Sequence, residues 1–325
     1  MTYTVGVVGC GRWGLAHIRT LLKLKASGFV KEIYACDADE KRLDELPDSI
    51  DGCFTAWMEM CDTVHFDLIA LVTPNRTHVS LGKAMLSRGL NVLIEKPIAI
   101  SPEGVKELIH QANASNGTLH SGYLLRYHPS ILAAKEIIEQ GQIGLLKSIR
   151  YVKYSSRNKN STANVIDGLA SHALDTIPFL VGVRPKPFFN NIAVFNQQKP
   201  TYLADASECH LNMRYPHNDN TGGVTAEIRV GWEQTDRSLI TVEGSRNCLR
   251  LDFRRSNALE IGSLEGGFKP VSLAEAKTPL ESQYEQILTR SEQSILHSQT
   301  HLQTAEVLHY TMSRAEKWSG KYAEN

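Results

Sequence analysis

The chain has 325 residues, 42% hydrophobic and 22% charged, which is enough apolar material for a sizeable core and about two domains. Basic and acidic residues balance at 35 each, so a formal net charge of zero gives no electrostatic case for nucleic acid or an anionic membrane surface as partner. The opening MTYTVGVVGCG is no secretory signal, no run of about 18 apolar residues occurs, and six cysteines without a C-x-x-C pair suit neither a disulfide framework nor a zinc site. The expectation is therefore a cytoplasmic protein with no membrane span and no metal.

Along the first 122 residues, short β-branched runs at 3–8, 33–36, 67–72, 91–94 and 118–121 alternate with helical patterns, among them 13–25, 77–88 and 102–113. The last helix is opened by Ser101-Pro102, a cap followed by a proline at the first helical position. This alternation predicts an α/β Rossmann domain, a doubly wound parallel sheet with helices on both faces. The texture then changes. A helix is expected over 128–141, ended by glycine, and strands over 147–154, 207–215, 225–232, 238–243 and 248–253. Asn218-Asp219-Asn220 and Thr221-Gly222-Gly223 form a hairpin signal between two of them. Helical periodicity runs from about 280 to 318. The domains predicted are 1–122, binding the nucleotide, and 123–325, an α+β domain on an antiparallel sheet that binds substrate and oligomerises.

Gly9-Cys10-Gly11-Arg12-Trp13-Gly14 fits G-x-G-x-x-G, and its context strengthens the reading, since an apolar strand leads in and an amphipathic helix leads out. Gly9 permits the turn, Gly11 lets the backbone approach a diphosphate at the helix N-terminus, and Gly14 lets helix and strand pack. Asp37 follows the second strand, 23 positions after Gly14, where a carboxylate would accept hydrogen bonds from the adenosine ribose and repel a 2′-phosphate. NAD is expected over NADP. The alternative is that Asp37 merely begins a turn, with Asp39 and Glu40 as the acidic first turn of the next helix. Thr73-Pro74-Asn75-Arg76-Thr77-His78 and Glu95-Lys96-Pro97 each follow a predicted strand, at the edge where open α/β sheets place ligands.

With these segments on the page, the chain resembles the Gfo/Idh/MocA oxidoreductase family, through VGVVGCGRWG, TPNRTH, EKPIAIS, GYLLRYHPS, EQGQIG, SHALD and VEGS. The resemblance implies a second domain with a large open-faced antiparallel sheet, and homodimers or homotetramers formed through it. It implies a cofactor site from Gly9, Cys10, Gly11, Arg12, Trp13, Gly14, Asp37, Thr73, Pro74, Asn75, His78, Glu95 and Lys96. It implies hydride transfer between nicotinamide and a carbinol or ketone of a sugar, inositol or sugar-nucleotide-like substrate, with Lys96 as acid–base and His172 assisting. A cis bond before Pro97 is expected to set the lysine's position. Tyr123, Arg126, Asp167 and Asp175 are the candidate substrate residues, although Arg126 could equally be a structural ion-pair partner. One departure stands out. The family often carries an aspartate four residues before this histidine, where this chain has Gly168, with Asp167 one residue further back. Either a local backbone shift presents Asp167, or no carboxylate assists. Two other functions stay open: an NAD-dependent glycosidase and a non-catalytic NAD-sensing regulator. His297 and His301, four apart on a predicted helix, read as an exposed polar face, and Cys10 and Cys36 as small buried residues.

Overall fold

Apolar strand runs and amphipathic helices pair up in the way their periodicity dictates. The computed structural model describes residues 2–99, 101–156, 164–182, 188–196, 199–215, 223–232, 235–255, 258–263, 265–273, 277–289 and 294–323. The chain divides into two compact units: Met1–Leu124 with Lys277–Ala305, and Leu125–Ala276 with Glu306–Asn325. The first unit thus takes in a segment near the end of the chain that the sequence reading gives to the second domain.

In the first unit, β1 (Tyr3–Val8), β2 (Val30–Cys36), β3 (Gly52–Phe54), β4 (Leu68–Leu71), β5 (Val92–Ile94) and β6 (Leu119–Ser121) form one parallel sheet in the order β3-β2-β1-β4-β5-β6. Helices α1 (Arg12–Ala26), α2 (Glu40–Asp44), α3 (Trp57–Thr63), α4 (His78–Ser87) and α5 (Pro102–Asn113) connect the strands. Both faces are covered, as a parallel sheet requires. Val5, Val7 and Ala35 share one core with Ile18 and Leu21 of α1, while Val8, Ile69 and Leu71 share another with Met85, Leu86 and Leu108. Residues Gly14, His17, Ile18, Leu21 and Leu24 form the buried stripe of α1, at helical spacing. Ser101 caps α5, its side chain accepting from the Gly104 N–H at 3.2 Å, with Pro102 next. Strand order reverses between β1 and β4, which places a ligand crevice at their carboxyl ends. The helix α8 (Pro279–Thr289) also belongs to this unit, burying Leu280, Tyr284 and Ile287 in the first core.

In the second unit a larger sheet runs β15-β14-β13-β12-β7-β11-β10-β8-β9. Its strands are β7 (Leu146–Tyr154), β8 (Phe188–Asn196), β9 (Lys199–Pro200), β10 (Glu208–Tyr215), β11 (Val224–Gly231), β12 (Arg237–Gly244), β13 (Cys248–Asp252), β14 (Leu259–Ser263) and β15 (Gly267–Pro270). All pairings are antiparallel except β7 with β11. Burial alternates along β10 and β11: Cys209, Leu211 and Met213, like Val224, Ala226 and Ile228, point into the core, whereas Asn212, Arg214, Thr225 and Arg229 are exposed. That is the pattern of a sheet packed on one side only. Helices α6 (Pro129–Glu139) and α7 (Ser171–Val181) supply Ile131, Ala134, Leu174 and Ile177 to this core. The strands on either side of the expected hairpin, β10 and β11, do pair, but its turn at 218–222 lies outside the described residues, as do the side chains of His297 and His301 on α9 (Ser294–Ala323). Among the described residues no helix is long and apolar enough to cross a membrane.

Candidate dinucleotide site and candidate active-site residues

The glycine turn is built as its spacing demands. Gly9 has φ +101°, open to glycine at little cost, and a Cβ there would stand 2.7 Å from the backbone of Val72. A Cβ on Gly14 would come within 1.9 Å of the Gly9 carbonyl oxygen. By contrast, a Cβ on Gly11 would meet only the tip of Arg42, 3.8 Å away. Gly11 is also the N-cap of α1, with no side-chain hydrogen bond to the first-turn N–H groups. A bare backbone, an uncapped helix N-terminus and a carboxylate at the next strand end fit a dinucleotide. The outcome expected of Gly14→Ala is a loss of about 3 kcal/mol of stability, the upper end for overpacking because the obstacle is backbone, together with lost NADH binding. Thermal melts and calorimetric titration check it.

Asp37 directly follows β2 and is 9% exposed. Its Oδ2 accepts the Cys10 N–H at 2.7 Å and its Oδ1 accepts the Asp39 N–H at 2.9 Å, which fixes the carboxylate at the turn. Burial and Asp37 push the Cys10 thiol up to about 12, and the Cys36 thiol likewise, so neither is a thiolate nucleophile at neutral pH.

The Thr73–His78 loop opens α4. Thr73 and Thr77 hydroxyls bond at 2.7 Å, and the His78 ring spans two backbone oxygens, Nε2 at 2.8 Å from that of Thr73 and Nδ1 at 2.8 Å from that of Pro97. The histidine thereby stands between the loop after β4 and the loop after β5, its neutral ring donating to one of the two oxygens. Lys96–Pro97 is a cis peptide.

Beneath that loop lies a buried polar cluster that the sequence reading missed. Glu95 Oε1 is 3.1 Å from His17 Nε2, and His17 Nδ1 is 2.7 Å from the Tyr284 hydroxyl. The Glu95 Oε2 accepts the Lys96 N–H at 3.0 Å, and the Trp13 side chain also bonds the carboxylate. One tautomer satisfies the row: the Tyr284 O–H donates to Nδ1 and the Nε2–H to Glu95. Burial pushes the Glu95 carboxyl up, but His17, then Trp13 and the Lys96 N–H, outweigh it and hold the group below its ordinary range. Gly122 leaves room for the cluster, since a Cβ there would sit 2.6 Å from Glu95 Oε1. Tyr123 follows, 2% exposed. The signal for His17 is its place three residues past Gly14 on the buried stripe of α1; Tyr284 gives none, standing 267 residues away.

In the second unit, the LRYHP segment is held by its own chemistry. Arg126 is bidentate to Asp175, through Nε at 2.9 Å from Oδ2 and Nη2 to Oδ1, with Asp175 buried on α7. Asp175 is thus an ion-pair partner of Arg126. His128 caps α6, its Nδ1 accepting the Ser130 N–H at 3.2 Å. His172 is the second residue of α7 and is half-buried. The turn before it, Ile166–Ala170, is a π-helix: the Ser171 N–H donates to the Ile166 carbonyl five residues back. A π turn takes in one residue more than an α turn, so residues five apart replace residues four apart as neighbours on a face. Asp167 and His172 are five apart.

The first unit is thus a dinucleotide-binding α/β domain of the Rossmann type. Residues 3–123 match the Gfo/Idh/MocA family model, described as an oxidoreductase family with an NAD-binding Rossmann fold. The chain is similar to inositol 2-dehydrogenase 2 of Saccharopolyspora erythraea, 28% identical over 189 residues, which make up 56% of this chain and 55% of the relative. The match therefore spans about half the length of that curated relative. Among solved structures, an oxidoreductase from Agrobacterium radiobacter in complex with NAD+, L-tartaric acid and magnesium aligns with a TM-score of 0.76 at 18% identity, covering 96% of this chain and 97% of that one. A UDP-N-acetylglucosamine 3-dehydrogenase from Acidithiobacillus ferrooxidans aligns with a TM-score of 0.78 at 19% identity, covering 98% and 99%. At these identities the structural likeness shows the fold.

Proposed function

We propose that the chain is an NAD(P)-dependent dehydrogenase or reductase that moves a hydride between nicotinamide and a CH–OH group of a sugar, inositol or sugar-nucleotide-like substrate, with NAD preferred. The observation that carries this is the carboxyl edge of the first sheet. The bare turn at Gly11, the fixed Asp37 carboxylate and Lys96 share that edge, Lys96 following a strand about 10 Å from β1 across two strand spacings. Relatives named for inositol and sugar-nucleotide dehydrogenation support the substrate class.

Bound nicotinamide would supply the hydride acceptor or donor. The protein's part is the proton and the geometry. Gly9, Cys10, Gly11, Arg12, Trp13 and Gly14 hold the diphosphate, Asp37 the adenosine ribose, and Thr73, Pro74, Asn75, His78 and Glu95 the loops that flank the nicotinamide end. Lys96 takes the hydroxyl proton during oxidation and returns it during reduction, a role open to an amine held neutral by burial and a neighbouring cation. His172 hydrogen-bonds the same hydroxyl, and Asp167, five residues before it across the π turn, orients the imidazole. Tyr123, Arg126 and Asp175 shape the substrate pocket, the latter two as a clamped pair. The reading includes a homodimer or homotetramer through the exposed face of the large sheet, where Arg150, Asn212, Glu227 and Glu243 line a polar depression. It also includes a cytoplasmic setting, supported by the free thiols.

The test is NADH formation across a panel of sugars, inositols and nucleotide sugars. Turnover on at least one carbinol is expected. Cleavage of a glycoside without net NADH, or nucleotide binding with no turnover on any of them, would reject the dehydrogenase. For Asp167→Asn, kcat is expected to fall at least about tenfold with a displaced pH profile. An unchanged profile would show that the carboxylate does not act on His172.

A further inference from the structure

One cation at the glycine turn has no role in that scheme. Arg42 stands on α2, five residues past Asp37. Its Nη1 is 3.4 Å from Asp37 Oδ2 and its Nε 3.4 Å from Asp39 Oδ2, both long for charged pairs, and its side chain is 51% exposed. The same Nη1 is the one atom that a Cβ on Gly11 would approach, at 3.8 Å. The guanidinium therefore spans the gap between the open side of the phosphate turn and the carboxylate that meets the ribose.

The two members of this pair differ in freedom. Asp37 is buried and pinned by the N–H groups of Cys10 and Asp39, so it cannot turn away from a charged ligand. Arg42 is held only by two long contacts at the surface and can be redirected at small cost. A lone carboxylate in this place repels a 2′-phosphate; a carboxylate with a mobile guanidinium beside it does so much less. A guanidinium also fits a phosphate bidentately, which its two long carboxylate contacts do not match. We propose that Arg42 is the residue that admits a 2′-phosphate, so that this chain takes NADP(H) as well as NAD(H), the arginine leaving Asp37 and Asp39 for the phosphate when it is present. The proposal rests on the dinucleotide reading and narrows the preference that Asp37 sets.

The experiment is calorimetric titration of the full chain with NADH and with NADPH, on wild type, Arg42→Met and Arg42→Lys, with no substrate present. Arg42 is a surface residue, and circular dichroism checks that each variant is folded. Wild type is expected to bind both nucleotides, with NADPH the more salt-sensitive. In Arg42→Met the ratio of the two dissociation constants moves against NADPH by about tenfold or more, the value of a charge-assisted contact, and the extra salt sensitivity disappears. The lysine variant recovers part of the ratio through its charge. Wild type that binds NADH and not NADPH overturns the proposal while leaving the dinucleotide reading intact. So does a variant in which both constants move together, as they would if Arg42 stacked on the adenine. Failure of both nucleotides to bind overturns the reading and the proposal with it.

Discussion

Lys96→Ala is expected to lower kcat by about 10²–10⁴ on any carbinol substrate while NADH still binds, because in the proposed mechanism it removes the proton acceptor. The contact that Lys96 makes with Glu95 is through its backbone N–H, at 3.0 Å, and alanine keeps it. The following loop is held independently by His78 on the Pro97 oxygen. Lys96→Arg should not rescue, since a guanidinium stays protonated and cannot accept the proton. Steady-state rates against pH on both variants, with calorimetric NADH titration as the check on the site, decide the matter. A variant retaining kcat to within about tenfold would move the acid–base role elsewhere.

The largest effect on stability is expected from His17→Leu, at about 3–5 kcal/mol, because it strips a buried carboxylate of its partner. His17 is fully buried between Glu95 and Tyr284, so the substitution also leaves a phenolic hydroxyl with nothing to donate to. Removing both partners in His17→Leu/Glu95→Met should recover part of the loss, since an apolar pair leaves no bare carboxylate behind. The pH dependence has a definite sign. A carboxyl held below its ordinary value of 4.5 contributes stability that is complete above that pH and is lost as pH falls through the lower, folded value. Glu95→Gln should therefore flatten the acid limb of the stability curve, starting below pH 4.5. Urea titrations across pH, followed by the fluorescence of Trp13 and Trp57, would measure both. A His17→Leu midpoint equal to wild type would mean that His17 does not stabilise the Glu95 carboxylate.

How far the sequence carried depends on how local each cause is. β1 and α5 were legible to their ends because an apolar run and a Ser-Pro cap lie inside the element. Gly52–Phe54 was not, being three half-exposed residues whose strand character comes from pairing with β2. The edge strand β15 and its neighbour β14 likewise carry little alternation of their own and were missed. Gly9 and Gly14 could be assigned because each answers a steric demand within the motif. Arg126 could not be decided from sequence, for its partner Asp175 lies 49 positions on. The π turn at Ile166–Ala170 was not foreseen, since its cause is not written in those residues in any way that periodicity reads. Arg42 and Tyr284 matter only through neighbours that the fold supplies.

The place of α8 in the first unit has a consequence for how the protein is born. Tyr284, which covers His17, is made 160 residues after Leu124, the last residue of the unit's N-terminal stretch. At ribosomal rates of about 5–20 residues per second, the nucleotide-binding sheet waits roughly 10–30 s for its final helix. During that interval His17 and Glu95 lack one wall of their enclosure, and the unit that begins the chain is among the last to be finished.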